Sequence, residues 1–267
     1  MAHFIVVPQW QGSSSARAMQ LTDGALAIAG DLPRAACTLI DVPAEAGEEQ
    51  GTGVRRYSTL ERVRALVAQA AGDNEQVVVV GGDSSVALGA LEALADAETA
   101  VLWLGAHPAL HSPDTSPTSA LHEMTLRCAL GEGAPGLAAD PNSISAGRVV
   151  LAGARDFDVA EQVIADELNI RSLSVDELAD VPTALRSTGA SKLYIHVDLD
   201  VLDPAAISGL SRPVPFGAVP EMLVSTIRAA RAELPLIGAS IAEFSPASPA
   251  AAEDDLSVVL RVIGALA

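Results

Sequence analysis

Residues 194–204 read Tyr-Ile-His-Val-Asp-Leu-Asp-Val-Leu-Asp-Pro. Side chains alternate along a strand, so His196, Asp198 and Asp200 are expected on one face. Two carboxylates so placed repel each other unless a positive charge lies between them, and a divalent metal ion is the usual answer. Asp203-Pro204 reads as the turn that leaves the strand. Elsewhere, three of the five histidines, His107, His111 and His122, fall within sixteen consecutive residues. Clustered histidines suggest a site, but this spacing matches no zinc motif. The segment Gly81-Gly82-Asp83-Ser84-Ser85 lacks the lysine of a P-loop and the glycine spacing of a dinucleotide fingerprint. It reads as a tight strand-to-helix turn with Asp83 or Ser84 as its cap. Arg155-Asp156 reads as an internal ion pair, and Glu243 carries no chemical signal of its own.

The elements that must position these residues follow from periodicity. Apolar, β-branched runs at 3–7, 37–42, 76–80, 100–104, 148–152, 192–197 and 236–241 predict strands. Amphipathic stretches at 60–71, 86–95, 159–168, 220–233 and 256–267 predict helices between them. Alternation of this kind implies a parallel sheet covered on both faces. Residues 131–147 read as a surface loop. No repeat or linker divides the chain, so residues 1–267 are expected to form a single domain. Ligands of open parallel sheets bind beyond the carboxyl ends of the strands. Five predicted strands end in polar groups there: Asp83-Ser84, His107, Arg155-Asp156-Asp158, Asp198-Asp200 and Glu243.

Composition removes several classes of function. A net charge of −18 argues against nucleic acid and against anionic membrane surfaces. No apolar run approaches the roughly 18 residues of a membrane span, and the first residues lack a signal-type pattern. Cys37 and Cys128 are the only cysteines, so disulfides are not the basis of the fold. A cytoplasmic protein is expected.

Taken in order, the polar segments resemble those of the ureohydrolase family, which includes arginase, agmatinase, guanidinobutyrase and formimidoylglutamase. Gly81 to Ser85 is similar to the family's Gly-Gly-Asp-His-Ser turn, and Gly105 to Ala109 to its Asp-Ala-His-x-Asp segment. Ser116 to Met124 resembles the substrate loop and the Ser-Gly-Asn-x-His-Gly stretch. Gly153 to Asp158 resembles Gly-x-Arg-Asp-x-Asp, and Asp198 to Pro204 matches Asp-x-Asp-x-x-Asp-Pro. Gly238 to Pro246 resembles the segment carrying a substrate-contacting glutamate, here Glu243. The resemblance implies a three-layer αβα fold around a mostly parallel sheet of about eight strands. It also implies hydrolysis of guanidino or amidine C–N bonds at a pair of Mn²⁺ ions.

The ligand set is incomplete. Of six implied metal positions, His107, Asp198 and Asp200 are kept, while Ser84, Gly105 and Ala109 stand where ligands are lost. Two dications about 3.5–4 Å apart repel by roughly 18 kcal/mol at an effective dielectric near 20. Removing two carboxylates leaves too little negative charge to cancel that. A binuclear Mn centre is therefore not expected, and at most one divalent metal, Mn²⁺ first, is. By the same resemblance, His122 is the proton-shuttling residue and Glu243 grips the guanidinium or amidine. Ser116, Thr118, Asp158 and His111 line the substrate's far end, with His111 replacing an asparagine. The expectation is a ligand-binding or regulatory protein with weak or lost hydrolysis. The alternative is an active hydrolase of linear amidines using one metal at His107, Asp198 and Asp200. Partners implied are a small guanidino or amidine molecule and further copies of the chain, as a trimer or hexamer.

Overall fold

Val77, Val78, Val79 and Val80 set the plan of the molecule. Val78 and Val80 join one hydrophobic core and Val77 and Val79 join a second on the opposite face of the sheet. A strand apolar on both faces can only be central, with a helical layer on each side. The structure is a computed structural model and describes residues 2–141 and 143–267. Met1 and Asn142, the latter within the expected 131–147 loop, lie outside the described residues.

Eight strands form one sheet: β1 (His3–Val7), β2 (Cys37–Leu39), β3 (Val77–Gly81), β4 (Thr99–Leu104), β5 (Val149–Ala152), β6 (Arg171–Leu173), β7 (Lys192–Asp198) and β8 (Leu236–Ala242). Their order is β2-β1-β3-β8-β7-β4-β5-β6, and every ladder is parallel. Helices α1 (Met19–Gly30), α6 (Val181–Ser187), α7 (Pro220–Glu233) and α8 (Pro249–Leu266) cover one face. Helices α2 (Tyr57–Gly72), α3 (Ala87–Leu94), α4 (Thr125–Ala129) and α5 (Val159–Glu167) cover the other. This is the three-layer αβα architecture that the alternation of periods implies.

The central strands β3, β8, β7 and β4 lie side by side, so their carboxyl ends open onto one floor. One departure from the expected strands bears on that floor. Strand β7 ends at Asp198, and Asp200 sits in a single 3₁₀ turn over Leu199–Val201. Asp200 therefore does not continue the strand alternation. Strand β6 was not expected, because Arg171 and Ser172 are exposed and the edge strand has no apolar run. Helix α1 was also missed. It carries no side-chain cap, and its apolar residues form only a weak stripe interrupted by Gly24, so neither start signal nor strong periodicity marks it.

Candidate functional site

The floor is built from the turn after β3. Asp83 caps it by accepting from the backbone N–H of Ser85 at 3.1 Å, and from the N–H of Gly12 at 2.9 Å. Gly82 is required there, since a Cβ would strike the carbonyl of Gln9. The capped turn presents Ser84, whose Oγ lies 2.9 Å from Asp198 Oδ2 and 3.0 Å from Glu243 Oε1. A hydroxyl has one proton to donate. If it serves Asp198, the contact to Glu243 needs a proton on that carboxyl. Burial supplies the tendency: it pushes the Glu243 carboxyl up to about 7, with Arg212 opposing and the Asp198 charge reinforcing. Glu243 follows β8 in the left-handed region, at φ 69°. That conformation is uncommon for a side chain of this size and is the kind of local strain found at functional positions.

Each carboxylate of the floor is tied to the protein. Asp198 Oδ1 lies 3.0 Å from His196 Nε2, and His196 Nδ1 lies 2.7 Å from Ser240 Oγ. Asp200 Oδ1 accepts from the N–H of Ala106 at 2.8 Å, and Oδ2 pairs with His107 Nδ1 at 2.7 Å. His107 Nε2 reaches Asp156 at 3.2 Å. Glu243 Oε1 accepts from the N–H of Ser84 at 3.0 Å, and Oε2 accepts from Ser211 Oγ. Burial pushes the Asp200 carboxyl up, yet His107, Arg212 and the Ala106 N–H together outweigh burial and hold it below its ordinary value.

Among these groups stands Arg212. Its Nη2 is 3.8 Å from Asp200 Oδ2, and the side chain is only one-fifth exposed. Burial alone would lower its pKa. Glu243, Asp200, Asp198 and Glu123 around it more than compensate and raise it. At an effective dielectric near 20, one such pair at 3.8 Å contributes about 4 kcal/mol of Coulomb energy. Nε and Nη2 are buried and make no direct hydrogen bond, so the attraction is through space.

Above the floor a cavity of about 190 Å³ is lined by His107, His111, Asp156, Asp158, Glu161 and Arg212, with Glu123, Ala109, Pro117 and Phe157. His111 Nε2 lies 3.2 Å from Asp158 Oδ2 and 3.8 Å from Glu161 Oε2. The ligand atoms of these three residues all fall within 4.8 Å of one another, the one such group among the described residues. His107, Asp198 and Asp200 do not form such a group, because the imidazole of His107 turns to Asp200 and Asp156.

Residues 10–266 match the sequence model of the arginase family. The chain belongs to the arginase family. An arginase of Entamoeba histolytica is 29% identical over 183 residues, which are 62% of this chain and 62% of that relative. The chain thus spans less than two thirds of that relative's length. An N(omega)-hydroxy-L-arginine amidinohydrolase of Streptomyces lavendulae is 29% identical over 210 residues, 77% of this chain and 74% of the relative. In fold, the crystal structure of Entamoeba histolytica arginase in complex with L-ornithine superposes with a TM-score of 0.86 at 23% identity, covering 99% of this chain and 97% of that one.

Against this family background, the remaining expected residues of the arginase-family chain can be located. His122 lies in the 3₁₀ turn Leu121–Glu123, fully buried. Its Nε2 accepts from the Ser14 N–H at 3.3 Å, which leaves the proton on Nδ1, 3.9 Å from Glu243 Oε1 and without a partner. Burial, then Arg212 and His107, push His122 well below its ordinary pKa, so it is neutral at pH 7. Ser116 and Thr118 donate to Glu123 at 2.5 and 2.9 Å. Asp158 caps α5 through a capping box with Glu161 and still faces the cavity. The expected Arg155–Asp156 pair does not form. Arg155 instead donates to the carbonyls of Val214, Pro215, Asp200 and Gly153 at 2.6–3.1 Å, while Asp156 pairs with His107. Ala109 adopts φ 55° and Gly105 leaves its position bare beside Asp198 and Asp200.

Sequence reasoning missed Arg212, Ser211 and Glu161, gave no role to Glu123, and paired Asp156 with Arg155 where the structure pairs it with His107. Ser211 and Arg212 come from the irregular segment between the Leu199–Val201 turn and α7, where periodicity says nothing. The one available signal was an arginine flanked by serine and proline in a strongly acidic chain.

Proposed function

We propose that this arginase-family chain binds a small guanidino or amidine cation and hydrolyses its C–N bond weakly or not at all. The observation that carries this reading is that all six carboxylate oxygens of Asp198, Asp200 and Glu243 are engaged by His196, Ser84, Ala106, His107 and Ser211. Ser84 offers a neutral hydroxyl, Gly105 no side chain and Ala109 a methyl group where the resemblance implies ligands. This donor set does not fit two divalent ions. At most one ion, Mn²⁺ first, is consistent with the acidic groups that remain. His107, Asp198 and Asp200 would be its ligands only if the direct His107 Nδ1–Asp200 contact opened to admit it.

Binding is supported by the cavity. Its wall carries Asp156, Asp158, Glu161 and Glu123, which favour a cation, and a volume of about 190 Å³ suits a small one. On this reading Asp158 and His111 hold the ligand's far end, Ser116 and Thr118 act through Glu123, and Glu243 with His122 lies beneath it. The whole chain, 1–267, works as one unit, and a cytoplasmic trimer or hexamer is the assembly we infer from the family. No helix among the described residues is long and apolar enough to cross a membrane.

The test is one purification followed by three measurements. Mn²⁺ is added, excess is removed and bound metal is measured, alongside urea release from arginine, agmatine and guanidinobutyrate. Calorimetric titration with the same three cations then reports binding. We expect a binding isotherm, weakened by Asp158→Asn, with no urea. Urea release with a pair of metal ions per chain would overturn the reading, and so would the absence of any isotherm.

A further inference from the structure

We propose that Arg212 is the permanent counter-cation of the carboxylate floor, a tethered guanidinium that does the electrostatic work of a metal. Asp198, Asp200 and Glu243 converge from the ends of three different elements, β7, the Leu199–Val201 turn and β8. Three carboxyl groups converging in a buried floor repel one another and destabilise the fold unless a cation compensates. The histidines cannot be that cation throughout. His122 is neutral, His196 is held between Asp198 and Ser240, and His107 is held between Asp200 and Asp156, outside the floor.

Arg212 is the cation in the right place. Its guanidinium lies 3.8 Å from Asp200 and within the fields of Glu243, Asp198 and Glu123, and it is permanently charged. The placement is built in. Arg155 clamps the Val214 and Pro215 carbonyls on one side of Arg212, and Asp255 holds the N–H groups of Ser208 and Gly209 on the other at 2.7–3.2 Å. Between these two clamps, Ser211 is hydrogen-bonded to Glu243. The chain thus delivers a guanidinium to the floor by a braced segment rather than by a free side chain. The consequence extends the functional reading above: with Arg212 in place, an external guanidinium is confined to the outer cavity, against Asp158 and Glu123, and does not reach Glu243.

The inference is tested without any activity assay, using the full chain and three variants: R212K, R212M and R212A. Thermal unfolding is followed in EDTA, in Mn²⁺, and in dilute guanidinium chloride against sodium chloride of equal ionic strength. Wild type is expected to melt at the same temperature in EDTA and Mn²⁺. R212M should fall by roughly 10 °C, because removing one partner leaves buried charges uncompensated. R212K should keep most of the stability. R212A should regain part of its loss with guanidinium and none with sodium chloride. Stability of R212M equal to wild type would overturn the proposal, as would R212K falling as far as R212M, or R212A responding equally to both salts. If R212A fails to fold, the comparison of R212K with R212M decides. The absence of any binding isotherm with the three cations would sink the functional reading yet leave this inference standing as long as these melts behave as expected.

Discussion

Replacing Glu243 with glutamine should flatten the pH dependence of stability. The carboxyl is buried and pushed up to about 7, from an ordinary value of 4.5. A raised carboxyl binds its proton more tightly in the folded state. Its contribution to stability is therefore full below pH 4.5 and is lost as pH rises through 7. Integrating the difference in proton binding between pH 5 and pH 8 gives on the order of 2–3 kcal/mol for this group. The geometry offers an independent reason to expect a proton there, since the single hydroxyl proton of Ser84 cannot serve both Asp198 and Glu243. Glutamine keeps the shape and cannot ionise. Its amide oxygen can accept from the Ser84 N–H as the carboxyl does. Urea denaturation of wild type and Glu243→Gln at several pH values between 5 and 8 is the assay. Wild type should lose on the order of 2–3 kcal/mol more than the variant across that range. Parallel curves would refute the reasoning, and a variant less stable than wild type at pH 8 would show that the ionised carboxylate is wanted.

Three further outcomes follow from the same contacts. Arg155→Met removes a guanidinium shared by six carbonyls and should cost about 3 kcal/mol in denaturant unfolding, with faster proteolytic cleavage between residues 203 and 219; an unchanged midpoint would refute the clamp. Gly105→Asp meets only ordinary contacts at its Cβ, the nearest being Asp198 Cβ at 3.4 Å, so its cost is electrostatic. A new carboxylate about 4 Å from another costs about 4 kcal/mol at an effective dielectric near 20, reduced by Arg212; a melt in EDTA should drop, and no drop would refute the charge balance drawn for the floor. Burial pushes the Cys128 thiol up to about 12, while Cys37 is half-buried. Iodoacetamide at pH 8 should therefore label Cys37 in the native protein and Cys128 only after unfolding, as read by mass spectrometry.

The sheet and its helices were legible because burial on both faces forces long apolar runs such as Val77–Val80, and a parallel connection forces a helix between them. The polar ends of those strands were legible for the same reason, since ligands of such sheets gather there. Edge strand β6 and helix α1 left no such trace, because neither presents an uninterrupted apolar run or a capped, strongly amphipathic stripe.

By itself, the sequence determined the αβα architecture, the family, and the presence of His107, His111, His122, Asp198, Asp200 and Glu243 near one edge of the sheet. Only the tertiary structure decided what those residues face. Asp198 and Asp200 suggest a metal when read along the chain, because their charges need an opposite neighbour. The neighbour that the fold supplies is Arg212, from a segment with no periodicity to announce it, together with His196, His107 and Ser84. Electrostatic partners across a floor depend on distances between elements far apart in sequence. Residue spacing along one strand cannot encode them.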